Sequence, residues 1–208
     1  MFVKEIVYPG GTRVLEWRLD EEVSQLLALC RNAGIPCEDL PDLPVKRQRE
    51  KAAERLLLWH ALGRPVTLSH MGQGIPVIDV EDMNVSITHT MRLVVLALNE
   101  KQIIGVDAEQ ADRQQVIKVR DKFLNANEKQ FIAPDDLAAH IIAWTAKEAI
   151  IKAERNSALD WTEGICLEPY TPDPVETVFK ARCGSRCYQL TTRLLDRHFI
   201  TLAVPAVS

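Results

Sequence analysis

The chain has 208 residues, 47% of them hydrophobic and 26% charged, with a formal net charge of −4 at pH 7. That is the make-up of a globular protein of one or two domains, and its acidic balance argues against nonspecific nucleic-acid binding. No window is apolar enough to span a membrane and no signal-peptide pattern opens the sequence, so neither a membrane nor export is expected. Cys30, Cys37, Cys166, Cys183 and Cys187 form an odd set without paired C-x-x-C spacing and read as free thiols in a reducing cytoplasm.

In chain order, residues 3–8 and 13–19 read as opening strands joined by Pro9-Gly10-Gly11, and Glu21 to Asn32 as a helix stopped by Gly34. A second helix runs from about Lys46 to Leu62 and ends at Gly63-Arg64-Pro65. Along it Lys46, Arg47, Arg49, Lys51 and Arg55 interleave with Glu50 and Glu54, the pattern of a solvated face. Arg92 to Leu98 is an aliphatic strand, Asn99 to Gln102 a turn, and Ile103 to Val106 a further strand. Asp135 or Asp136, after Pro134, can cap a helix that extends to about Arg155. Residues 156–197 read as several strands interrupted by Pro169, Pro172 and Pro174, and His198 to Val204 as a closing strand. Helix, excursion and strand thus occur twice, which hints at an internal repeat.

Chemistry concentrates in two segments. Gly105-Val106-Asp107-Ala108-Glu109 continues a strand, so Asp107 and Glu109 point to one face. Two carboxylates on one face repel unless a cation lies between them. Oxygen-only ligands favour Mg²⁺ over Zn²⁺. The second segment is Trp144-Thr145-Ala146-Lys147-Glu148-Ala149-Ile150-Ile151-Lys152. Leu137, Ile141, Trp144, Glu148 and Ile151 follow one another at helical spacing, which sets a glutamate in an apolar stripe. Burying that carboxylate is costly unless it is paired or bound to metal. The plainer reading is an i, i+4 pair of Glu148 with Lys152, worth about 0.2–0.5 kcal/mol.

The pair G-V-D-x-E and W-x-x-K-E-x-x-x-K resembles the 4′-phosphopantetheinyl transferase superfamily, in its longer, two-half, surfactin-synthetase-activating type. Gly74-Ile75-Pro76, Val85-Ser86-Ile87-Thr88-His89-Thr90 and Phe123-Leu124-Asn125-Ala126-Asn127-Glu128 are similar to three further family segments, in the same order. The resemblance implies an α+β fold of two similar halves, 1–100 and 101–208, related by pseudo-two-fold symmetry. Each half would be a small, mainly antiparallel sheet packed on a long helix, with the active site between them. It implies transfer of 4′-phosphopantetheine from coenzyme A to a serine of an apo acyl or peptidyl carrier protein, releasing adenosine 3′,5′-bisphosphate, with Mg²⁺ as cofactor. Asp107, Glu109 and Glu148 would hold the metal. Glu148, Lys152 and Asp107 would carry the catalysis, and Glu148 or a water would accept the serine proton. Arg47, Thr88, His89, Lys147 and Lys152 would bind coenzyme A, with Arg49 the alternative to Arg47 at the 3′-phosphate. A monomeric, cytoplasmic enzyme is the expectation.

Two departures stand out. Ile75 replaces the lysine of the family's G-K-P, and Ser86 replaces an asparagine, so the periphery of the coenzyme A site differs. Lys118, Arg120 and Lys122, beside Val119 and Phe123, offer a basic and apolar surface for an acidic carrier, or the wet face of an ordinary amphipathic helix. Two other functions fit the residues: a Mg²⁺-dependent phosphohydrolase or nuclease, and a noncatalytic relative that binds coenzyme A or a carrier.

Overall fold

The structure, a computed structural model, describes residues 2–72 and 74–206. The chain divides into two compact units, Met1–Lys101 and Gln102–Ser208. Both are α+β, with antiparallel sheets, and no helix among the described residues is long and apolar enough to cross a membrane.

In the first unit β1 (Phe2–Val7), β2 (Arg13–Arg18), β5 (Asn84–His89) and β6 (Leu93–Asn99) form one sheet in the order β1-β2-β6-β5. The strands β3 (Leu68–Met71) and β4 (Ile75–Ile78) make a separate two-stranded hairpin. Helices α1 (Val23–Asn32) and α2 (Val45–Leu62) pack on each other, and α2 lies against β2 and β6. Leu26, Leu56, Leu57, Val94 and Leu96 fill the core they enclose. The helix α1 starts at Val23, two residues later than the sequence suggests, after the N-cap Glu22, which forms a capping box with Gln25. The helix α2 stops at Gly63, whose φ of 69° gives the left-handed cap that a side chain would disfavour.

In the second unit β7 (Gly105–Gln110), β8 (Ile165–Leu167), β9 (Glu176–Cys183), β10 (Arg186–Leu195) and β11 (His198–Pro205) make a five-stranded sheet in the order β7-β11-β10-β9-β8. Burial alternates residue by residue along β9, so one face of this strand meets the core and the other is wet. Short helices α3 (Gln115–Lys118) and α4 (Glu128–Phe131) precede the long helix α5 (Leu137–Glu154). The helix α5 is apolar nearly all round and is buried accordingly, against β7, β11, β10 and α3. Of the two candidate caps, Asp136 is the one used: its carboxylate accepts from the Ala139 backbone N–H at 2.9 Å.

Gly105 sets how closely β7 meets α5. A Cβ there would stand 1.8 Å from the Ala149 carbonyl oxygen and 2.8 Å from the Ala153 nitrogen, both backbone atoms that cannot swing aside. Glycine is therefore required for contact, not for an unusual φ. Gly105→Ala should destabilise the protein by about 3 kcal/mol, at the upper end for overpacking. Chemical denaturation checks this, and a loss below about 0.5 kcal/mol would mean that α5 shifts without strain.

Candidate active site

The site of the second unit is built where β7 crosses α5. Asp107 lies opposite Thr201 in the β7–β11 pairing, and Glu109 lies opposite Phe199. Thr201 meets Thr145 of α5 at 2.6 Å between hydroxyl oxygens, and Phe199 belongs to the core under α5. Directly opposed residues share a face, so Asp107 and Glu109 face the helix. On α5 itself, Glu148 and Lys152 stand one turn apart in the same stripe as Thr145.

The structure brings together Asp107, Glu109, Glu148 and Lys152. The Lys152 ammonium donates to Asp107 Oδ1 at 2.8 Å and to the Val106 carbonyl at 3.1 Å. Glu109 pairs with the Arg113 guanidinium and accepts from the Gln110 backbone N–H at 2.9 Å. Arg113, from the turn after β7, is a site cation that the sequence reading passed over; its i+4 relation to Glu109 was the available signal. Burial lifts the Glu148 carboxyl from 4.5 to about 6, and the nearby charges of Asp107 and Glu109 push the same way, against Lys152 and Arg113. Three carboxylates thus share one patch with two cations.

Lys147 departs from its expected role. Its side chain is fully buried, and its ammonium donates to Glu128 Oε2 at 2.8 Å, the Trp161 carbonyl at 2.6 Å and the Ile165 carbonyl at 2.9 Å. Those three bonds use all its protons, so none remains for a diphosphate. Burial lowers its pKa, and Glu128 opposes that shift. Glu128 in turn accepts from the Leu167 and Asn125 backbone N–H groups, 2.8 and 2.9 Å away. Trp144 packs against Trp161 with the rings tilted by 37° and meets Phe123 edge-on, with centroids 4.9 and 5.3 Å apart. The F-x-x-x-x-E and W-x-x-K segments are therefore an interlocking pair: Phe123 receives Trp144 and Glu128 receives Lys147.

In the first unit Arg47 and His89 come together. Arg47 Nη1 lies 3.3 Å from His89 Nε2 and donates to Glu50 Oε2 at 2.7 Å. Arg49, the alternative, is tied to the Leu19 and Glu21 carbonyls at 2.5 and 3.1 Å. Thr88 is buried and, by strand alternation, faces away from His89. The solvated-face reading of α2 is corrected as well: Glu50 and Glu54 are 1% and 3% exposed. Ile75 sits in β4 opposite Met71, at the end of the exposed hairpin.

A hard dication is compatible with the second unit's donor set, because three oxygen donors share one patch in which burial first, and the Asp107 and Glu109 charges next, raise the Glu148 pKa to about 6. Among the described residues no three Asp, Glu, His or Cys side chains already converge in ligating range, since Asp107 and Glu109 are turned to Lys152 and Arg113. A group whose folded pKa is raised above its unfolded value binds more protons when folded. Stability therefore falls as pH rises from 4.5 through about 6, by about 2 kcal/mol. Glu148→Gln in metal-free protein should remove that fall and be more stable than wild type above pH 6. Urea denaturation at pH 4.5 and 7.5 tests the sign, and parallel losses in both proteins would contradict it.

The family model of the 4′-phosphopantetheinyl transferase superfamily matches residues 103–181, a span that holds Asp107, Glu109, Glu148, Lys152 and the interlocked Phe123–Glu128 segment. No curated protein matches the chain. The match marks residues 103–181 as a 4′-phosphopantetheinyl transferase superfamily domain.

Proposed function

We propose that this protein transfers 4′-phosphopantetheine from coenzyme A to a serine hydroxyl of an apo acyl or peptidyl carrier protein, with Mg²⁺ as cofactor and adenosine 3′,5′-bisphosphate as the other product. The observation that carries the reading is the patch of Asp107, Glu109 and Glu148 with Lys152 in its midst, inside the matched span. In the reaction the serine hydroxyl oxygen bonds to the pantetheine-side phosphorus and the bridging diphosphate oxygen leaves with adenosine 3′,5′-bisphosphate, so the protein's work is to place the reactants and meet developing negative charge.

In this reading Asp107, Glu109 and Glu148 hold Mg²⁺. When bound, the ion would neutralise charge on the diphosphate. Lys152 stands 2.8 Å from Asp107, so its ammonium is at hand for a phosphate oxygen brought to that carboxylate. Arg113 offsets Glu109 and keeps the patch from being overwhelmingly negative to an incoming polyanion. Glu148, whose pKa lies near 6 without metal, has metal ligation as its first role; it is also the group placed to take the serine proton, directly or through a water. Arg47 and His89 of the first unit are assigned to coenzyme A, Arg47 to its 3′-phosphate, because Arg47 is 46% exposed while Arg49 is committed to carbonyls. Lys147 is given no part in ligand binding.

Intact-mass spectrometry of an apo carrier incubated with this protein, coenzyme A and Mg²⁺ is the direct test. A phosphopantetheine mass gain that EDTA abolishes is expected. Hydrolysed coenzyme A without carrier modification would instead indicate the phosphohydrolase. Glu148→Gln should keep the fold and lose the Mg²⁺-dependent turnover. Lys152→Ala should lower kcat about a hundredfold with a smaller effect on coenzyme A binding, since its contact tightens in the transition state.

The carrier surface we assign is the segment across α3 and the turn after it. Lys118 and Lys122 are exposed and Arg120 half-buried, while Val116 and Phe123 beneath them are buried, so the cations face outward. Arg120→Glu with Lys122→Glu should raise KM for an acidic carrier about tenfold and leave KM for coenzyme A alone. Equal effects on both constants would remove this surface from the proposal.

A further inference from the structure

An ordinary ion pair on a helix surface leaves both partners wet. The Arg47–Glu50 pair does not: the arginine side chain is 46% exposed and the carboxylate 1%. Glu50 is also reached from another element. His89, at the end of β5, places Nδ1 3.3 Å from Glu50 Oε1, and its Nε2 lies 3.3 Å from Arg47 Nη1. Oε1 makes no hydrogen bond of good geometry, although Lys46 Nζ is 3.8 Å away as well. The three side chains thus form a closed triangle with the carboxylate at its buried corner. Both contacts of Arg47 use Nη1; among the described residues Nε and Nη2 are left to its exposed side.

We propose that Glu50 is a positioning residue: one carboxylate oxygen holds Arg47 and the other faces the His89 ring that braces it, which presets the Arg47 fork as a clamp for a phosphate monoester. The proposal rests on the coenzyme A reading above, and the monoester in question is the 3′-phosphate. The physical reason is preorganisation. A free arginine loses rotamer freedom when it grips a ligand, and one already fixed by a buried carboxylate has less to lose. The idea has a sign that separates it from plain electrostatics. Glu50 is an anion near an anion site, so by Coulomb's law alone its neutralisation would tighten phosphate binding. A positioning role predicts weakening.

Calorimetric titration of the full chain with adenosine 3′,5′-bisphosphate tests this. Glu50→Gln should weaken binding about tenfold, in line with the loss of a charge-assisted hydrogen bond. Adenosine 5′-monophosphate, which lacks the 3′-phosphate, should bind wild type and Glu50→Gln alike. The double variant with Arg47→Ala should bind no worse than Arg47→Ala alone, because Glu50 acts through Arg47. Unchanged or tighter binding by Glu50→Gln overturns the proposal and leaves the coenzyme A reading standing if Arg47→Ala is impaired. Failure of wild type to bind the bisphosphate overturns both. Should Glu50→Gln not fold, Arg47→Lys carries the test: it keeps the charge and loses the fork. A preset clamp predicts about a tenfold loss, and full binding by this variant would overturn it.

Discussion

The approach of β7 to α5 at Gly105 is the constraint on which the second unit's site depends. No side chain separates the strand from the Ala149 carbonyl and the Ala153 nitrogen. Ala149 follows Glu148 in the chain and Ala153 follows Lys152, so the two helical residues of the site are carried by the segment that touches the strand. Gly105 lies two residues before Asp107, on the same face of β7. The short separation at the glycine is what lets the Lys152 ammonium reach both the Asp107 carboxylate and the Val106 carbonyl. A wider gap would leave lysine and carboxylate each to water, where an exposed pair contributes little.

The helix also sorts its charges. Lys147 and Glu148 are adjacent, so on a helix they project about 100° apart. One goes to the interior and the other to the patch. Lys147 is matched by Glu128 and two carbonyls, which makes its burial tolerable; without Glu128 its ammonium would be left in the core with the two carbonyls and without that carboxylate. That pair joins α5 to the start of α4 and to β8, and Trp144 reinforces the join through Phe123 and Trp161. The motif W-x-x-K-E-x-x-x-K therefore mixes two functions. Trp144 and Lys147 hold the helix in place, and Glu148 and Lys152 face the patch with Asp107 and Glu109.

This division explains what was legible in the sequence. The strand period of two puts Asp107 and Glu109 on one face, and the helical i, i+4 spacing relates Glu148 to Lys152; both are local rules, and both locate the residues that gather. The cap at Asp136 and the stop at Gly63 follow from local chemistry in the same way. Lys147 was misread because its partner is nineteen residues back in the chain, and no local pattern tells a buried lysine from a wet one. Glu50 and Glu54 were misread for the same reason, since alternating charges on a helix look solvated until β5 and the hairpin are in place. The hairpin of β3 and β4 went unseen because its four-residue strands are too short to show a period. Arg49 and Arg47 are equivalent in sequence; the Leu19 and Glu21 carbonyls on Arg49, and Glu50 and His89 beside Arg47, distinguish them.

The balance of charge in the patch gives the site its direction. Asp107, Glu109 and Glu148 face Lys152 and Arg113, three potential anions against two cations; burial contributes most to the cost of ionising Glu148, and its anionic neighbours add to it. A unit under selection for stability alone could replace Glu148 with an apolar residue, since an apolar side chain is cheaper there than a partly buried carboxylate. Here Glu148 is kept and Lys147 is locked to Glu128, so the excess of carboxylate persists in the folded state. Relief can come from a proton, which explains the value near 6, or from a cation. The proton is lost as pH rises toward neutrality, and from there a cation is the remaining source of compensation. That ordering gives the proposed cation a place at neutral pH, and it ties the proposed chemistry to the same helix contact that Gly105 permits.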